Sequence, residues 1–341
     1  VLQKQRLIFI VQNGNALYKT EMFFKKIDYF IIFFGSYQYR IESFVIKFDC
    51  VERRPHIMQK IVLVAESGSD LMPHWREKYG IHIVPMYVTF GEETKDDGSF
   101  PVEDVCNYYN RTGKAPKTSG SNPEDFISLF DEIHANDPDA HILYLAYSAV
   151  TTCAYQSAVI AAQGRDYVTC LDTKQVSVGQ SAAVVRMARL IEAHPEWNIE
   201  QIKEAFSEVV AETNMCFIPS NLDYLRAGGR VSNAAAIAGN ILGLKPCIEI
   251  VDGYLKATKK YRGNYNKVLP KLIQEFVEKN NLDREEIWLC NTVQFSKEMK
   301  ALVEDTVKAL GFKSYHWTDC GGVITTHGGP NAFGIAGYSA K

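Results

Sequence analysis

Residues Leu222 to Arg230 read L-D-Y-L-R-A-G-G-R, a helix-like run with leucines three apart, stopped by two glycines and followed at once by an arginine. Glycine enters backbone conformations closed to other residues, so Gly228-Gly229 can hold the Arg230 guanidinium at a fixed angle just beyond a helix end. A guanidinium held in that way suits an anion, and a plain glycine-capped helix with a solvated arginine fits the same nine residues. Polar, small-residue segments recur at Glu66 to Asp70, Lys117 to Ser121, Tyr147 to Thr152 and Thr325 to Pro330. They offer the hydroxyls of Thr118, Ser119, Ser148 and Thr152, backbone amides around Ala149 and Gly328, and the imidazole of His327. A hydrogen bond to a charged group contributes about 1.5–3 kcal/mol, and helix N-termini add a favourable dipole. Together with Arg230, this set suits a carboxylate or a phosphate.

Each piece also has a structural reading. Thr118-Ser119 fits a turn or N-cap, Ser148 and Thr152 fit caps of the helix containing Tyr155, and His327 fits a loop histidine with a backbone partner. Glu66 and Asp70 fit helix caps. A hydrolase or transferase using Ser148 or Thr118 with His327 would need a nucleophile bonded to a base and an oriented third group. The sequence shows no nucleophile elbow, no phosphate-binding P-loop and no cysteine or histidine cluster at metal spacing.

The elements that must position these residues alternate. From Met58, short apolar runs alternate with longer amphipathic ones, as in an α/β domain whose strands are covered on both faces. Strands are expected at Ile61 to Val64, Val84 to Phe90, Ile142 to Ala146 and Tyr167 to Leu171. Helices are expected at Leu71 to Tyr79, from Pro123, at Tyr155 to Ala162, Val178 to Ala193 and Ile199 to Ala211. Ligands of open α/β sheets bind at the carboxyl ends of the strands, where the polar segments are expected to fall. A second part begins near Met215, with a hairpin at Lys245 to Ala257 turned by Asp252-Gly253. Helical stripes follow from Val268 to Val277 and from Met299 to Leu310, with strands at Ile287 to Cys290, Lys313 to Trp317 and Val323 to Thr326.

The chain of 341 residues is 46% hydrophobic and 23% charged, enough for two compact domains. A formal net charge of -3 without runs of like charge excludes an electrostatic footprint for nucleic acid or an anionic membrane. The eight cysteines are scattered singly, mostly in apolar runs, as in a reduced cytoplasmic protein without structural zinc. Residues 1–57 differ from the rest, being crowded with Phe, Tyr, Ile and Lys. The expectation is that the native start is Met58 and that the leader stands outside the native fold. Its longest apolar stretch is far short of the roughly 20 residues of a spanning helix.

The ordered motifs A-E-S-G-S-D-L (Ala65 to Leu71), P-K-T-S (Pro116 to Ser119) and S-A-V-T-T-C-A-Y-Q-S-A (Ser148 to Ala158) open a longer series. It continues with L-D-Y-L-R-A-G-G-R-V-S (Leu222 to Ser232), L-K-P-C-I (Leu244 to Ile248), K-Y-R-G (Lys260 to Gly263) and H-G-G-P-N-A-F-G (His327 to Gly334). From Met58 to the C-terminus the series resembles the DegV family of fatty-acid-binding proteins. The resemblance implies an α/β fold of two domains: a three-layer αβα domain with a mainly parallel sheet, residues 58–214, and a smaller α/β domain with a mixed sheet, residues 215–341. It also implies a ligand tunnel between sheet and helices. A long-chain fatty acid would lie there with its carboxyl group at the polar mouth, held by the counterparts of Thr118, Ala149 and His327, without cofactor or metal. Arg230 would lie near the mouth and dock a fatty acid kinase, the partner that makes the acyl phosphate for phospholipid synthesis. The chain departs from the pattern where Ala149 replaces serine, Glu66 replaces aspartate, Thr152-Cys153-Ala154 replaces S-G-T, and Asn331 replaces glycine. Ser148 or Thr152 would then supply the missing hydroxyl, or the ligand is another amphiphile without a kinase partner.

Overall fold

The computed structural model describes residues 60–219, 222–231 and 244–341, and the backbone of two strands before them, β1 (Gln5–Asn13) and β2 (Ala16–Phe24). These two pair antiparallel from Gln5 opposite Phe24 to Asn13 opposite Ala16, as a unit of their own. The sequence reading assigned no element there, although Asn13-Gly14 is a hairpin signal. The expectations for the leader and for Met58 otherwise concern residues outside the described ones, as does Ser232.

In the first half of the main unit, β3 (Ile61–Glu66) leads to α1 (Pro73–Tyr79), where Pro73 opens the helix and its missing N–H leaves nothing unpaired. The strand expected from Val84 to Phe90 is two strands, β4 (His82–Val84) and β5 (Tyr87–Phe90), which belong to different sheets. Pro85 has no N–H to continue a ladder, and the Met86 N–H leaves the strand to donate to Ser67 Oγ at 3.0 Å. Next come β6 (Glu93–Asp96), α2 (Glu103–Thr112) and β7 (Lys117–Ser119). Thr118-Ser119 is therefore neither turn nor cap; it pairs with β5. A capping box of Asn122 and Asp125 starts α3 (Pro123–Asn136). Then follow β8 (His141–Ala146), α4 (Ala154–Ala161), β9 (Val168–Asp172), α5 (Ser177–Ala193) and α6 (Ile199–Glu212). The parallel sheet has the order β4-β3-β8-β9, and β6-β5-β7 form a small antiparallel one.

The second half runs β10 (Thr213–Ile218), α7 (Leu222–Gly228), β11 (Leu244–Val251), β12 (Tyr254–Arg262) and α8 (Tyr265–Lys279). It ends with β13 (Glu286–Asn291), α9 (Lys297–Ala309), β14 (Ser314–Asp319), α10 (Gly322–Gly328) and β15 (Phe333–Tyr338). Its six-stranded mixed sheet has the order β12-β11-β10-β15-β13-β14, with β13 and β14 parallel. At the β11–β12 turn, Asp252 and Gly253 have φ of 51° and 81°, as a type I′ hairpin requires.

Two differences from the sequence reading bear on the site. The run Val323 to Thr326, β-branched and expected as strand, is helix α10. In its place the last strand is β15, passed over because Gly334, Ala336 and Gly337 dilute its pattern; it occupies the middle of the mixed sheet.

Strand alternation sorts the cores. Val64, Ile142 and Tyr144 pack with Phe126 and Phe130 of α3, while Leu63, Ala65, Leu143 and Leu145 pack with α5. Met215, Trp288, Cys290, Ala336 and Tyr338 of the mixed sheet join that second cluster, and Cys216, Ile287, Leu289 and Ile335 face α8 and α9. Helix α5 is thus covered on both sides, which explains why Val178 through Val185 are all buried.

Candidate functional site

Helix α10 is the central part of the site, and carboxylates from far along the chain hold its N-terminus. Asp70 accepts the Gly321 N–H at 2.8 Å, and Asp97 accepts those of Gly322 at 2.7 Å and Val323 at 3.3 Å. The first-turn N–H groups of a helix lack intrahelical partners, so these acceptors favour helix over the strand that β-branched residues prefer. Ser67 and Ser177 hydroxyls donate to Asp97 and Asp70 in turn. Burial pushes both carboxyls up, that of Asp70 to about 7. Asp70 is a cap twice over: its backbone N–H closes the short turn Ser67–Ser69, and its carboxylate holds the start of a helix distant in sequence.

At the other end of α10, His327 is half-buried, and its Nε2 lies 2.8 Å from Thr118 Oγ1 on β7. Burial, and then the nearby Arg230 charge, lower its pKa to about 4, so the imidazole is neutral near pH 7. Its buried Nδ1 has no hydrogen-bond partner among the described residues.

The two glycines before Arg230 do different work. Gly229 has φ of +65°, the left-handed conformation that ends α7. Gly228 makes room: a Cβ there would lie 2.2 Å from His327 Nδ1, so only glycine lets the end of α7 approach the imidazole. Arg230 is exposed at its backbone turn and donates from Nη1 to the Gly228 carbonyl at 2.8 Å. The departure at Asn331 also has a physical account. Its φ is +57°, and asparagine enters that region more readily than other non-glycine residues.

Thr118, Arg230 and His327 form the polar part of a cavity of about 80 Å³, several times the roughly 10–15 Å³ that one water needs. Its remaining walls are mostly apolar: Met215 and Phe217 of β10, Leu255 of β12, Val323 and Ile324 of α10, Phe333 of β15, and the thiols of Cys290 and Cys320. Ser119, Thr152 and Gly328 also line it. The Thr152 hydroxyl accepts the Ala154 N–H at 3.3 Å at the start of α4.

Ser148 and Ala149 are not among the lining residues. The Ser148 hydroxyl is buried and donates to the Gly253 carbonyl at 2.8 Å, latching the β11–β12 turn. The Ala149 N–H donates to Asp172 at 3.2 Å, so the amide that alanine retains is already used. Glu66 is a buried structural acceptor. It takes bonds from Tyr144, the Tyr147 N–H and Gln180, and burial raises its carboxyl to about 7.

The sequence reading missed Asp97 and Phe217. Asp97 stands in the turn K-D-D-G, where aspartate is expected for local reasons, and no signal marked its reach to α10. Among the described residues no group of three or more His, Cys, Asp or Glu could hold a metal ion, and no helix is long and apolar enough to cross a membrane.

Comparison with known proteins agrees with this architecture. A fatty acid-binding protein of Thermotoga maritima is 30% identical over 286 residues, covering 81% of this chain and 96% of its own. A DegV family protein from Thermus thermophilus, whose structure was described for its fatty acid binding, superposes with a TM-score of 0.74 at 27% identity, over 83% of this chain and 100% of its own. A DegV lipid-binding protein from Thermotoga maritima superposes with a TM-score of 0.70 at 27% identity, over 82% of this chain and 99% of its own. The model of the family described as uncharacterised protein, DegV family, matches residues 60–340, and the chain belongs to that family.

Proposed function

We propose that this protein binds a long-chain fatty acid, with the acyl chain in the apolar cavity and the carboxyl group at Thr118, His327 and Arg230. The observation that carries the reading is a mostly apolar cavity, partly open, with Thr118 and His327 in contact in its wall and Arg230 beside them. Burying an acyl chain gains about 0.8 kcal/mol per methylene, on the order of 10 kcal/mol gross for sixteen carbons. The head group need add little. That offsets the missing hydroxyl at Ala149, and Thr152 stands at the cavity wall to replace it. The names of the relatives, fatty acid-binding and lipid-binding proteins, support the same ligand.

In this reading the protein is not a catalyst. It presents the carboxylate to a fatty acid kinase, Arg230 docks that partner, and the acyl phosphate feeds phospholipid synthesis in a bacterial cytoplasm. The exposed position of Arg230 beside the cavity supports the docking role. A hydrolytic triad is disfavoured, because Nδ1 of His327 has no orienting partner among the described residues and the Ser148 hydroxyl is engaged by Gly253. A second reading, another amphiphile without a kinase partner, is favoured by the engaged amide of Ala149.

Native mass spectrometry of delipidated protein tests the proposal. Uptake of palmitic or stearic acid in a one-to-one complex is expected, and uptake of neither overturns it. Transfer of phosphate to the bound acid by a fatty acid kinase separates the two readings.

A further inference from the structure

Met215 belongs to two hollows at once. It lines the cavity that carries Thr118 and His327, and it lines a groove of about 800 Å³ beyond it, whose apolar part is made by Phe206, Val210, Ile250 and Phe276. One residue is thus common to both.

Its position along the cavity follows from the register of the mixed sheet. Ala332, Gly334 and Ala336 alternate onto one face along β15 and the residue before it. Ala332 lies at the His327 end, where a Cβ on Gly328 would be 3.1 Å from the Ala332 Cβ. Ala336 pairs with Met215 on β10. At about 3.4 Å per residue, the Met215 backbone is about 14 Å along the strand from Ala332, with its Cε turned back toward Gly334. The side chain bridges the space between α5 and the sheet. A Cβ on Gly179 of α5 would be 2.9 Å from Met215 Cβ, and one on Gly334 would be 3.5 Å from Met215 Cε. Both glycines leave room for it.

We propose that Met215 is the end wall of the acyl site and sets the longest chain the protein accepts, a longer tail being excluded from the groove behind it. This rests on the fatty-acid reading above. A thioether is the most adaptable apolar wall, so the limit is graded over neighbouring chain lengths rather than absolute.

The experiment is a competition. Wild type, Met215→Ala and Met215→Phe, each delipidated and shown to be folded by circular dichroism, are offered an equimolar mixture of myristic, palmitic, stearic, arachidic and behenic acids and read by native mass spectrometry. Met215→Ala opens the wall and is expected to raise the ratio of behenic to palmitic acid bound about tenfold, as when two methylenes gain a dry environment. Met215→Phe fills the end and is expected to move the profile toward myristic acid. Met215→Val serves as a milder opening should the alanine variant misfold. Profiles unchanged from wild type in the folded variants overturn the proposal. Wild type that takes up none of the five acids overturns the fatty-acid reading instead.

Discussion

At the polar part of the cavity, each position depends on a contact made across a large separation in sequence. Asp70 and Asp97 hold the start of α10, Thr118 meets His327, and Gly228 leaves room for the imidazole. Around Met215 the walls come instead from ordinary strand alternation, with Met215 and Phe217 on one strand and Gly334 facing them from the next. The first region uses polar groups that are costly to bury unless paired, so it tolerates few substitutions. The second uses apolar volume, which is adjustable. Recognition of a carboxyl group is thereby separated from accommodation of a tail.

The largest effect that would break this comparison belongs to Asp97. Asp97→Ala removes the acceptor for two helix N–H groups and for the Ser67 hydroxyl. A stability loss of about 2–4 kcal/mol is expected in chemical denaturation, with fatty acid affinity falling as His327 loses its support. Gly334→Ala should behave differently. Its Cβ would lie 2.6 Å from Cys290 Sγ, an overpacking of about 1–3 kcal/mol that narrows the cavity without touching the head-group residues. If Gly334→Ala disturbs the His327 resonance in an NMR spectrum as much as Asp97→Ala does, the two regions are not separate.

Thr118→Val tests the head group alone. The substitution keeps the shape and removes the hydroxyl that meets His327 Nε2. Affinity for palmitic acid by calorimetry should fall by about 1.5–3 kcal/mol if that hydroxyl bonds the carboxylate. An unchanged affinity would leave binding entirely to the tail. Arg230→Ala should be milder still for binding, within a few-fold, while phosphorylation of the bound acid by a kinase partner falls. Unchanged phosphorylation would return Arg230 to the role of a solvated helix-end residue.

The same division governs what could be read from the sequence. The α/β alternation, the long helices and the Asp252-Gly253 hairpin follow from local pattern, and the structure contains them. The motifs alone also group Thr118, His327 and Arg230, which line one cavity in the structure. Helix α10 could not be read, because Val323-Ile324-Thr325-Thr326 has strand chemistry and becomes helix through carboxylates distant in sequence. β15 could not be read either, since a strand with glycine at Gly334 and Gly337 has little hydrophobic pattern. Ser148 looked like a ligand group because hydroxyl identity carries no direction. In the fold it points to the Gly253 carbonyl.

The smallest expected effect concerns protons, and it sharpens the contrast between buried imidazole and buried acids. His327 has a pKa of about 4 in the folded protein against about 6.5 when unfolded. Between those values the unfolded chain takes up a proton that the folded one refuses, so this residue lowers stability as pH falls below about 6.5. Glu66 and Asp70 act with the opposite sign. Their carboxyls are raised to about 7, so the folded state binds protons that the unfolded state has lost, and they favour folding as pH falls from about 7 toward 4. The wild-type profile therefore combines opposing slopes, and only a difference isolates the histidine. Relative to His327→Gln, wild type should lose about 1 kcal/mol of stability between pH 7.5 and 5.5. The measurement is chemical denaturation of both proteins, free of lipid, at each pH. A difference that stays flat would mean that the imidazole keeps its ordinary proton affinity in the fold, and a wild type that gains stability as pH falls would mean a charged His327, able to pair with a carboxylate directly instead of through a neutral hydrogen bond.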